Sequence, residues 1–369
     1  MFNIKQTNVV LIYFTLLFFS SSIVFGQGFK KSRFDLKVSI ASMYDDNILK
    51  YSEKYIDRFL NNEDEGRFEI KSYDDVYIKS KISTSYYFKF FKNKKTKISA
   101  SFNNNSYINN PIKSWNYYGV GVQQYFLKKA NVKFSYSYIP AFYVRQFRQP
   151  DLVDMYGYKP NTFKPYVFSK DNYSLTFQNT FFKNTKVELD FDKAIYYHNS
   201  YYTEYDSENL SASFSVTQPV SKKIKVKAGY VYTFSDAKGF DEVGETKETS
   251  NDSDATFTDH TFILELKAKL PKLLKKKNDV AIKAKYSKRF FSSEHLIQND
   301  ILHTGRTDKN IRLYFTYNIK VMGKTNFSLY YNYYIRDSYN NKGIYDEIIS
   351  EEKDYSQNQF GFQVSYSIF

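Results

Sequence analysis

Apolar and polar residues alternate with a period of two along most of this chain. In residues 76–90, VYIKSKISTSYYFKF, Ile78 and Ile82 fall on one face, and Lys79 and Lys81 fall on the opposite face. Successive side chains of a β-strand point to opposite sides, so this pattern predicts strands with one apolar and one polar face. A chain built from such segments can bury its apolar faces only in an all-β fold.

Fourteen segments share this alternation. They predict strands at about 34–43, 76–90, 97–104, 115–126, 132–144, 165–181, 187–199, 206–216, 224–235, 257–270, 280–291, 309–320, 326–336 and 355–369. The weak connections at 105–114 and 200–205 leave twelve and sixteen strands open as alternatives.

Short and long connections alternate between these strands. The short ones are rich in lysine and lie at 91–96, 127–131, 182–186, 217–223, 271–279 and 321–325. The long ones include 44–75, 145–164, 236–256, 292–308 and 337–354. Short turns on one side and long loops on the other indicate a transmembrane antiparallel β-barrel of about fourteen strands, with periplasmic turns and extracellular loops. An even strand count places both chain ends in the periplasm.

The composition favours this all-β barrel over a soluble sandwich. The chain has 37 Tyr and 35 Phe in 369 residues, yet its mean hydropathy is −0.57. The aromatic residues are therefore interleaved with polar ones, and a two-layer sandwich could hardly bury so many rings. The chain has no cysteine, which excludes disulfides and thiolate sites. The net charge of +14 is spread without a nucleic-acid-binding motif, so we expect no nucleic acid partner.

The first 26 residues have the pattern of a secretory signal peptide. Lys5 precedes the apolar run VVLIYFTLLFF (9–19), and VFG (24–26) suits cleavage before Gln27. An uncleaved anchor helix is the alternative. We predict a signal peptide at 1–26, a short periplasmic segment at 27–33 and an outer-membrane β-barrel at 34–369. The segment 27–33 is too short for a plug domain.

The cost of burying charge predicts which face meets lipid. A lysine on the lipid face near the bilayer midplane costs about 2–4 kcal/mol, so the faces that carry lysine are predicted to line the lumen. The predicted basic lumen residues are Lys79, Lys81, Lys97, Lys133, Lys225, Lys227, Lys267, Lys269, Lys283, Lys285, Arg312, Lys320 and Arg336. The predicted acidic lumen residues are Glu188, Asp190, Asp192 and Glu265. Lys193 is an exception on the apolar face, which a bulge or a different membrane depth would explain.

Charge is also sorted between the two ends of the predicted barrel. The short turns carry fourteen Lys and one acid, whereas the loops 44–75, 236–256 and 337–354 carry ten, seven and six acids against five, two and two bases. This sorting predicts an acidic outer mouth above a basic periplasmic rim, and simple solvation of turns and loops is the alternative. Like charges that line a low-dielectric tube concentrate the opposite ion, so an open lumen would favour anions. The alternative is that the inward bases form ion pairs with the inward acids and with loop carboxylates that fold into the lumen.

Several loop features suggest functional sites at the mouth. The predicted loop YVRQFRQPD (143–151) places Arg145 and Arg148 with Tyr143 and Phe147 near the mouth. Arginine and aromatic side chains together suit sugars or anionic groups, and ordinary loop packing is the alternative. Residues 52–60, SEKYIDRFL, have helical spacing and predict a short helix that either narrows the mouth or covers it.

Metal and catalytic signals are weak. The acidic stretch NDSDATFTD (251–259) lacks the glycine and terminal glutamate of a calcium loop, so we predict no metal site and no cofactor. His198 and Asp206 form a conceivable acid–histidine pair, but no nucleophile motif accompanies them. We therefore do not expect an enzyme.

The end of the chain resembles the insertion signal that the barrel-assembly machinery reads. The residues that carry this resemblance are Phe360, Phe362, Val364, Tyr366, Ile368 and Phe369. YDDNILKYS (44–52) resembles a motif of porin-like proteins, and the Tyr-, Lys- and Asn-rich composition resembles outer-membrane barrels of Bacteroidetes. The resemblance implies an outer-membrane location in contact with lipid and lipopolysaccharide, and passive passage of small hydrophilic solutes. The inward bases add the expectation that these solutes include anions. The alternative function is a non-conducting barrel that anchors or assembles other components, for example in surface polysaccharide handling.

Overall fold

Fourteen antiparallel strands form one closed barrel, as the alternation predicts. The structure, a computed structural model, describes residues 33–127, 129–273, 275–343 and 345–368, without the side chain of Lys183. The predicted signal peptide at 1–26 and Phe369 lie outside these ranges.

The strands follow one another around the barrel in chain order. They are β1 (Phe34–Asp45), β2 (Asp75–Lys89), β3 (Lys95–Tyr107), β4 (Trp115–Tyr125), β5 (Asn131–Arg148), β6 (Phe163–Thr180), β7 (Lys186–His198), β8 (Ser207–Pro219), β9 (Ile224–Ala237), β10 (Phe257–Lys269), β11 (Asn278–Phe291), β12 (Arg306–Met322), β13 (Thr325–Asn340) and β14 (Tyr355–Ser367). Each predicted strand corresponds to one of these, with ends that differ by a few residues.

The helices lie in the connections. They are α1 (Glu53–Leu60), α2 (Pro150–Tyr156) and α3 (Asp346–Lys353). Single 3-10 turns occur at Phe91–Asn93, Pro111–Lys113, Pro160–Thr162, Phe182–Asn184 and Thr203–Tyr205. The predicted helix in 52–60 is therefore confirmed as α1. In the described ranges, no helix combines the length and the apolar character needed to cross a bilayer.

The barrel closes where β1 meets β14. Backbone pairing at this seam runs from Lys37 with Ser367 to Asp45 with Gln359. Closure matters because an unpaired strand edge in hydrocarbon leaves peptide groups without hydrogen bonds, at several kcal/mol each. Every named strand of this barrel has a paired neighbour on both sides.

Gly361 permits the close approach of the two strands at this seam. A β-carbon at this position would lie 2.1 Å from the carbonyl oxygen of Ser42 and 2.6 Å from Sδ of Met43. Any side chain here would therefore push β14 away from β1.

Large apolar side chains are exposed on one face of the sheet. In β10, Phe262, Leu264 and Leu266 are 55%, 58% and 41% exposed. Their direct partners on adjacent strands include Tyr230 and Ile282, which extend the same apolar face. Hydrocarbon stabilises such a face and water does not, so we assign it to lipid and the opposite face to the lumen.

Lys193 lies on the apolar face, where an ion pair with a carboxylate compensates its charge. Its Nζ lies 2.7 Å from a carboxylate oxygen of Glu208 on the neighbouring strand β8. The pairing of β7 with β6 and β8 has no register shift, so no bulge turns Lys193 inward. An ion pair on the outer surface therefore replaces the bulge suggested by the sequence.

A closed barrel predicts resistance to detergent. Every strand pair must separate for the barrel to unfold in SDS, so an unheated sample should migrate differently from a boiled one on SDS gels. Identical mobility of the two samples, together with a mature protein that stays soluble without detergent, would contradict the membrane barrel.

Candidate functional site: the basic lumen and its mouth

The structure places the predicted lumen residues on the face opposite the exposed apolar one. In β11, Ile282 is 48% exposed on the outer face, and Lys283 and Lys285 take the alternate positions. The same alternation points inward the bases Lys79, Lys81, Lys97, Lys133, Lys225, Lys227, Lys267, Lys269, Arg312, Lys320 and Arg336, and the acids Glu188, Asp190, Asp192 and Glu265. Their role in solute passage stays a prediction.

Some of these charges neutralise one another. Glu188 lies 2.6 Å from Nζ of Lys186 and 3.4 Å from Nζ of Lys227. Glu265 lies 2.7 Å from Nζ of Lys267. In this part of the wall, from β7 to β10, inward bases therefore form ion pairs with inward acids, as the alternative in the sequence analysis predicted.

Other lumen bases have no acidic partner. In the described part of the chain, no ion pair within 4.0 Å forms at Lys79, Lys81, Lys225, Lys269, Lys283, Lys285, Arg312 or Arg336. Uncompensated bases in a water-filled tube attract small anions and repel small cations.

Lys285 and Arg312 are the most informative of these bases. They are direct cross-strand partners on β11 and β12. Like charges directly opposite each other destabilise a sheet, so the fold gains nothing from this pair. Both side chains line a recess in the lumen wall with a volume of about 160 Å³.

The first outer loop (residues 46–74) folds into the mouth of the barrel. Its Ile48, Leu49, Tyr51 and Tyr55 form a buried apolar cluster with Tyr143 of β5. Burial of these side chains fixes the loop against the wall, so α1 narrows the mouth instead of standing free above it.

The YDDN motif at 44–47 ties this loop to the closing strand. The Asp45 carboxylate accepts hydrogen bonds from Gln357 at 2.7 and 2.9 Å and from Gln359 at 2.7 Å. The Asn47 side chain donates to the Tyr51 carbonyl at 2.8 Å and accepts from the Tyr51 N–H at 2.8 Å. The sequence resemblance did not assign a role to this motif. In the structure, Asp45 bonds to the closing strand β14, and Asn47 stabilises the first turn of the loop.

Arg145 and Arg148 were predicted to lie in a mouth loop, and that placement is wrong. Both belong to β5, which continues to Arg148 past register shifts at Ile139/Phe142 and Tyr143/Arg145. These irregularities break the period of two, so alternation alone ends the strand too early.

The two arginines take part in packing rather than facing open water. Arg145 donates from Nη2 to the carbonyl oxygens of Leu49 at 2.7 Å and Lys50 at 3.0 Å. Arg148 donates to Thr162 Oγ1 at 3.0 Å. The alternative of ordinary packing therefore describes their contacts better than a free anion or sugar site.

The first and last outer loops meet above the seam. Lys54 of α1 forms an ion pair of 2.7 Å with Glu351 of α3, and Tyr55 donates to Glu352. Arg336 donates from Nε to the carbonyl oxygen of Lys353 at 2.7 Å, which fixes the end of α3 to the wall.

Lysines of the mouth are crowded by other bases. Burial, with the charges of Lys50 and Arg145, lowers the pKa of Lys113 to about 7. Burial and nearby arginines, Arg306 first among them, lower the pKa of Lys353. Burial and neighbouring bases therefore both favour the neutral form of these two lysines.

Acidic side chains gather at a different part of the outer rim. Carboxylate oxygens of Asp241, Glu245 and Asp252 lie within 4.8 Å of one another in the loop after β9. Burial and the neighbouring charges of Asp252 and Asp151 raise the pKa of Asp241 to about 6. The sequence predicted an acidic mouth from loop composition, but not this convergence. Exposed acidic groups are common without a metal, so the cluster alone does not establish a metal site.

Glu204 is the buried member of this acidic region. It is 6% exposed, and its Oε2 has no hydrogen-bond partner among the described residues. Burial, with the charges of Asp252 and Asp241, raises its pKa to about 8.

Two of the four histidines contact an aspartate among the described residues. His198 Nδ1 lies 3.4 Å from Asp206, as the sequence suggested. In another loop, Asp300 accepts from Ser293 at 3.1 Å and contacts His303 Nδ1 at 2.8 Å. The aspartate stands between the serine and the histidine, whereas a nucleophilic triad needs the histidine in the middle. This group orders its loop.

Comparisons with known proteins find solved structures that are similar to this chain at low sequence identity. No family model matches the sequence, and no curated protein gives a significant match. A bacterial polysaccharide outer-membrane secretin is 8% identical, with a TM-score of 0.47 over 90% of this chain and 97% of that one. The outer-membrane channel DcaP of Acinetobacter baumannii is 10% identical, with a TM-score of 0.43 over 92% and 99%. An anion-selective porin from Comamonas acidovorans is 6% identical, with a TM-score of 0.41 over 91% and 99%. This likeness assigns neither a solute nor an activity.

The buried carboxyl predicts a pH-dependent change in stability. Unfolded Glu204 loses its proton near its ordinary pKa of 4.5, whereas folded Glu204 keeps it to about 8. The folded state therefore binds more protons between these values, and stability falls as the pH rises through this window. Glu204→Gln should raise the temperature at which the folded gel band disappears at pH 9, and should leave it nearly unchanged at pH 4.

The exposed Glu242 in the neighbouring loop provides a matched control. Glu242→Gln should leave the transition temperature nearly unchanged at pH 9. An equal effect of the two substitutions at pH 9, or an effect of Glu204→Gln that is larger at pH 4, would contradict the burial of an unpaired carboxyl.

Proposed function

We propose that this chain is an outer-membrane channel for the passive passage of small hydrophilic solutes, with a preference for anions. The observation that carries the proposal is the set of lumen bases without acidic partners, represented by Lys283, Lys285 and Arg312. In a scaffold that only anchors other proteins, nothing requires an inward field of one sign.

The size of the barrel supports passage. Barrels of about eight strands are filled by side chains, whereas those of sixteen to eighteen strands hold an aqueous channel. Fourteen strands lie between these limits, and the first outer loop occupies part of the mouth. Solutes would therefore pass through a lumen that is narrowed at its outer end. There they would lie close to the wall, and its charged side chains would act on them strongly.

The location is part of the same proposal. The predicted signal peptide at 1–26 would direct export, and the exposed apolar face would contact outer-membrane lipid and lipopolysaccharide. The alternating side chains of β14 that end near Ile368 would serve as the signal for the barrel-assembly machinery. The β1 backbone already pairs with this segment, since Ile368 N–H donates to the Leu36 carbonyl oxygen at 2.8 Å.

Ion selectivity in a planar bilayer tests the proposal. The native protein should form pores that prefer anions at low salt, with the preference fading as the Debye length falls from about 30 Å at 0.01 M to about 3 Å at 1 M. Combined replacement of Lys267, Lys269, Lys283 and Lys285 by Gln should reduce the reversal potential at low salt by about half. Three uncompensated bases are lost, and the loss of Lys267 leaves the Glu265 carboxylate without its partner.

The turn between the same two strands provides the control. Lys272, Lys275, Lys276 and Lys277 lie in this turn, so their replacement by Gln removes the same charge from outside the lumen. We expect this control to change selectivity less. Cation selectivity of the native pore, or an equal effect of the two sets, would contradict the proposed role of the lumen bases. A protein that inserts but never conducts would contradict passage itself.

A further inference from the structure

The recess beside Lys285 and Arg312 has the features of a binding site. It opens on the lumen face of five consecutive strands, β8 to β12, and its volume is about 160 Å³. We infer that this recess binds a small hydroxylated phosphate monoester, such as a sugar phosphate or a glycerol phosphate. This inference extends the proposed function. It rests on that proposal because a ligand can bind the recess only if solutes reach the lumen.

The net positive charge of the residues around the recess suits a ligand with two negative charges. Arg289 lies 3.3 Å from the carboxylate of Asp259 and stacks 3.9 Å from the centre of the Phe257 ring, so it is already paired. Lys285 and Arg312 have no carboxylate within 4.0 Å in the described chain. Two uncompensated positive charges therefore face the recess, and a phosphate monoester carries up to two negative charges near neutral pH.

The types of base also suit a phosphoryl group. The Arg312 guanidinium offers a planar fork of donors that can bind two phosphate oxygens at once. Lys285, its direct cross-strand partner, adds a compact charge beside it. Without a ligand, the positive charges of Lys285 and Arg312 repel each other across the two strands. A bound phosphoryl group would reduce this repulsion.

The remaining wall of the recess suits hydroxyl groups. Asp259 is 6% exposed and accepts from Thr261 Oγ1 at 2.7 Å, and Ser287 and Asn310 are each 8% exposed. The Asp259 carboxylate is paired with Arg289, and its oxygens can still accept a further hydrogen bond from a ligand hydroxyl. A bare oxyanion has no proton to donate to it. Asp259 therefore favours a ligand that has both a phosphoryl group and hydroxyl groups.

The volume limits the ligand to a small molecule. A protein cavity of about 150 Å³ holds benzene, a ligand of six heavy atoms. A recess of about 160 Å³ therefore takes a phosphoryl group and one or two further atoms, and the rest of the ligand extends into the lumen. This excludes nucleotides from complete burial and leaves glycerol 3-phosphate as a suitable probe.

Calorimetric titration of the detergent-solubilised protein at low salt tests the inference. Glycerol 3-phosphate should bind saturably, and the double variant Lys285→Gln/Arg312→Gln should bind at least about a hundredfold more weakly. A hydrogen bond to a charged group contributes about 1.5–3 kcal/mol, which corresponds to about tenfold or more for each base. The double variant removes a like-charge pair, so it should fold, and its heat-dependent gel mobility checks this.

A matched control separates this recess from general lumen charge. Lys79 and Lys81 on β2 are also unpaired lumen bases and lie outside the recess. Lys79→Gln/Lys81→Gln should keep the affinity for glycerol 3-phosphate within about twofold. An equal loss of affinity in the two double variants, or no saturable binding by the native protein, would overturn the inference.

Two further titrations test the hydroxyl part of the ligand. Inorganic phosphate and glycerol should each bind the native protein more weakly than glycerol 3-phosphate. Asp259→Asn should reduce the advantage of glycerol 3-phosphate over inorganic phosphate, since a strong acceptor is lost. Inorganic phosphate that binds as tightly as glycerol 3-phosphate to the native protein would overturn the assignment to a hydroxylated ligand.

The titration and the bilayer recording fail independently. Saturable binding by a protein that does not conduct supports the recess and refutes the proposed passage. Anion-selective conductance without saturable binding of glycerol 3-phosphate supports the passage and refutes the recess.

Discussion

The structure depends on the need to pair every backbone peptide group that lies in hydrocarbon. Lipid cannot replace a missing hydrogen bond, so a sheet in a membrane is stable only when it has no edge. The pairing of β1 with β14 meets this need, and the absence of a side chain at Gly361 lets the two strands approach. Asp45 strengthens the same seam by accepting from Gln357 and Gln359.

Closure also determines where charge can lie. In a closed barrel each residue faces either lipid or lumen, so a period of two separates apolar from charged side chains. Lys193 shows the cost of an exception, because it is held on the apolar face by an ion pair with Glu208. On the lumen side, water tolerates the opposed bases Lys285 and Arg312, which a dry core would not. The lumen is therefore the place where the chain carries charge that its fold does not need.

The strands could be predicted because their signal is local. Alternation within 224–234 or 311–321 is visible in a few residues, and it identified the strands and the face on which their charged residues lie. The prediction weakened where local geometry breaks the period, as in β5, where register shifts near Pro140 and Tyr143 hid the extension to Arg148. Alternation carries no information about such bulges.

The mouth could not be predicted because its contacts join distant parts of the chain. Asp45 and Gln357 are 312 residues apart, and Arg145 bonds to Leu49 across 96 residues. No local pattern indicates that Asp241 and Asp252 will converge, or that Lys285 will stand opposite Arg312. Such pairs depend on register and loop packing, which are set only when the barrel closes.

The most direct test of the central claim is a spin-label scan along β11 in lipid. The chain has no cysteine, so single cysteines can be placed one at a time at 280–287 and labelled. The structure predicts that accessibility to oxygen, which concentrates in hydrocarbon, peaks at Val280, Ile282, Ala284 and Tyr286. Accessibility to a water-soluble nickel chelate should peak at Ala281, Lys283, Lys285 and Ser287. The opposite phase, or uniform access to the nickel chelate, would contradict a lipid-facing apolar surface around a charged lumen.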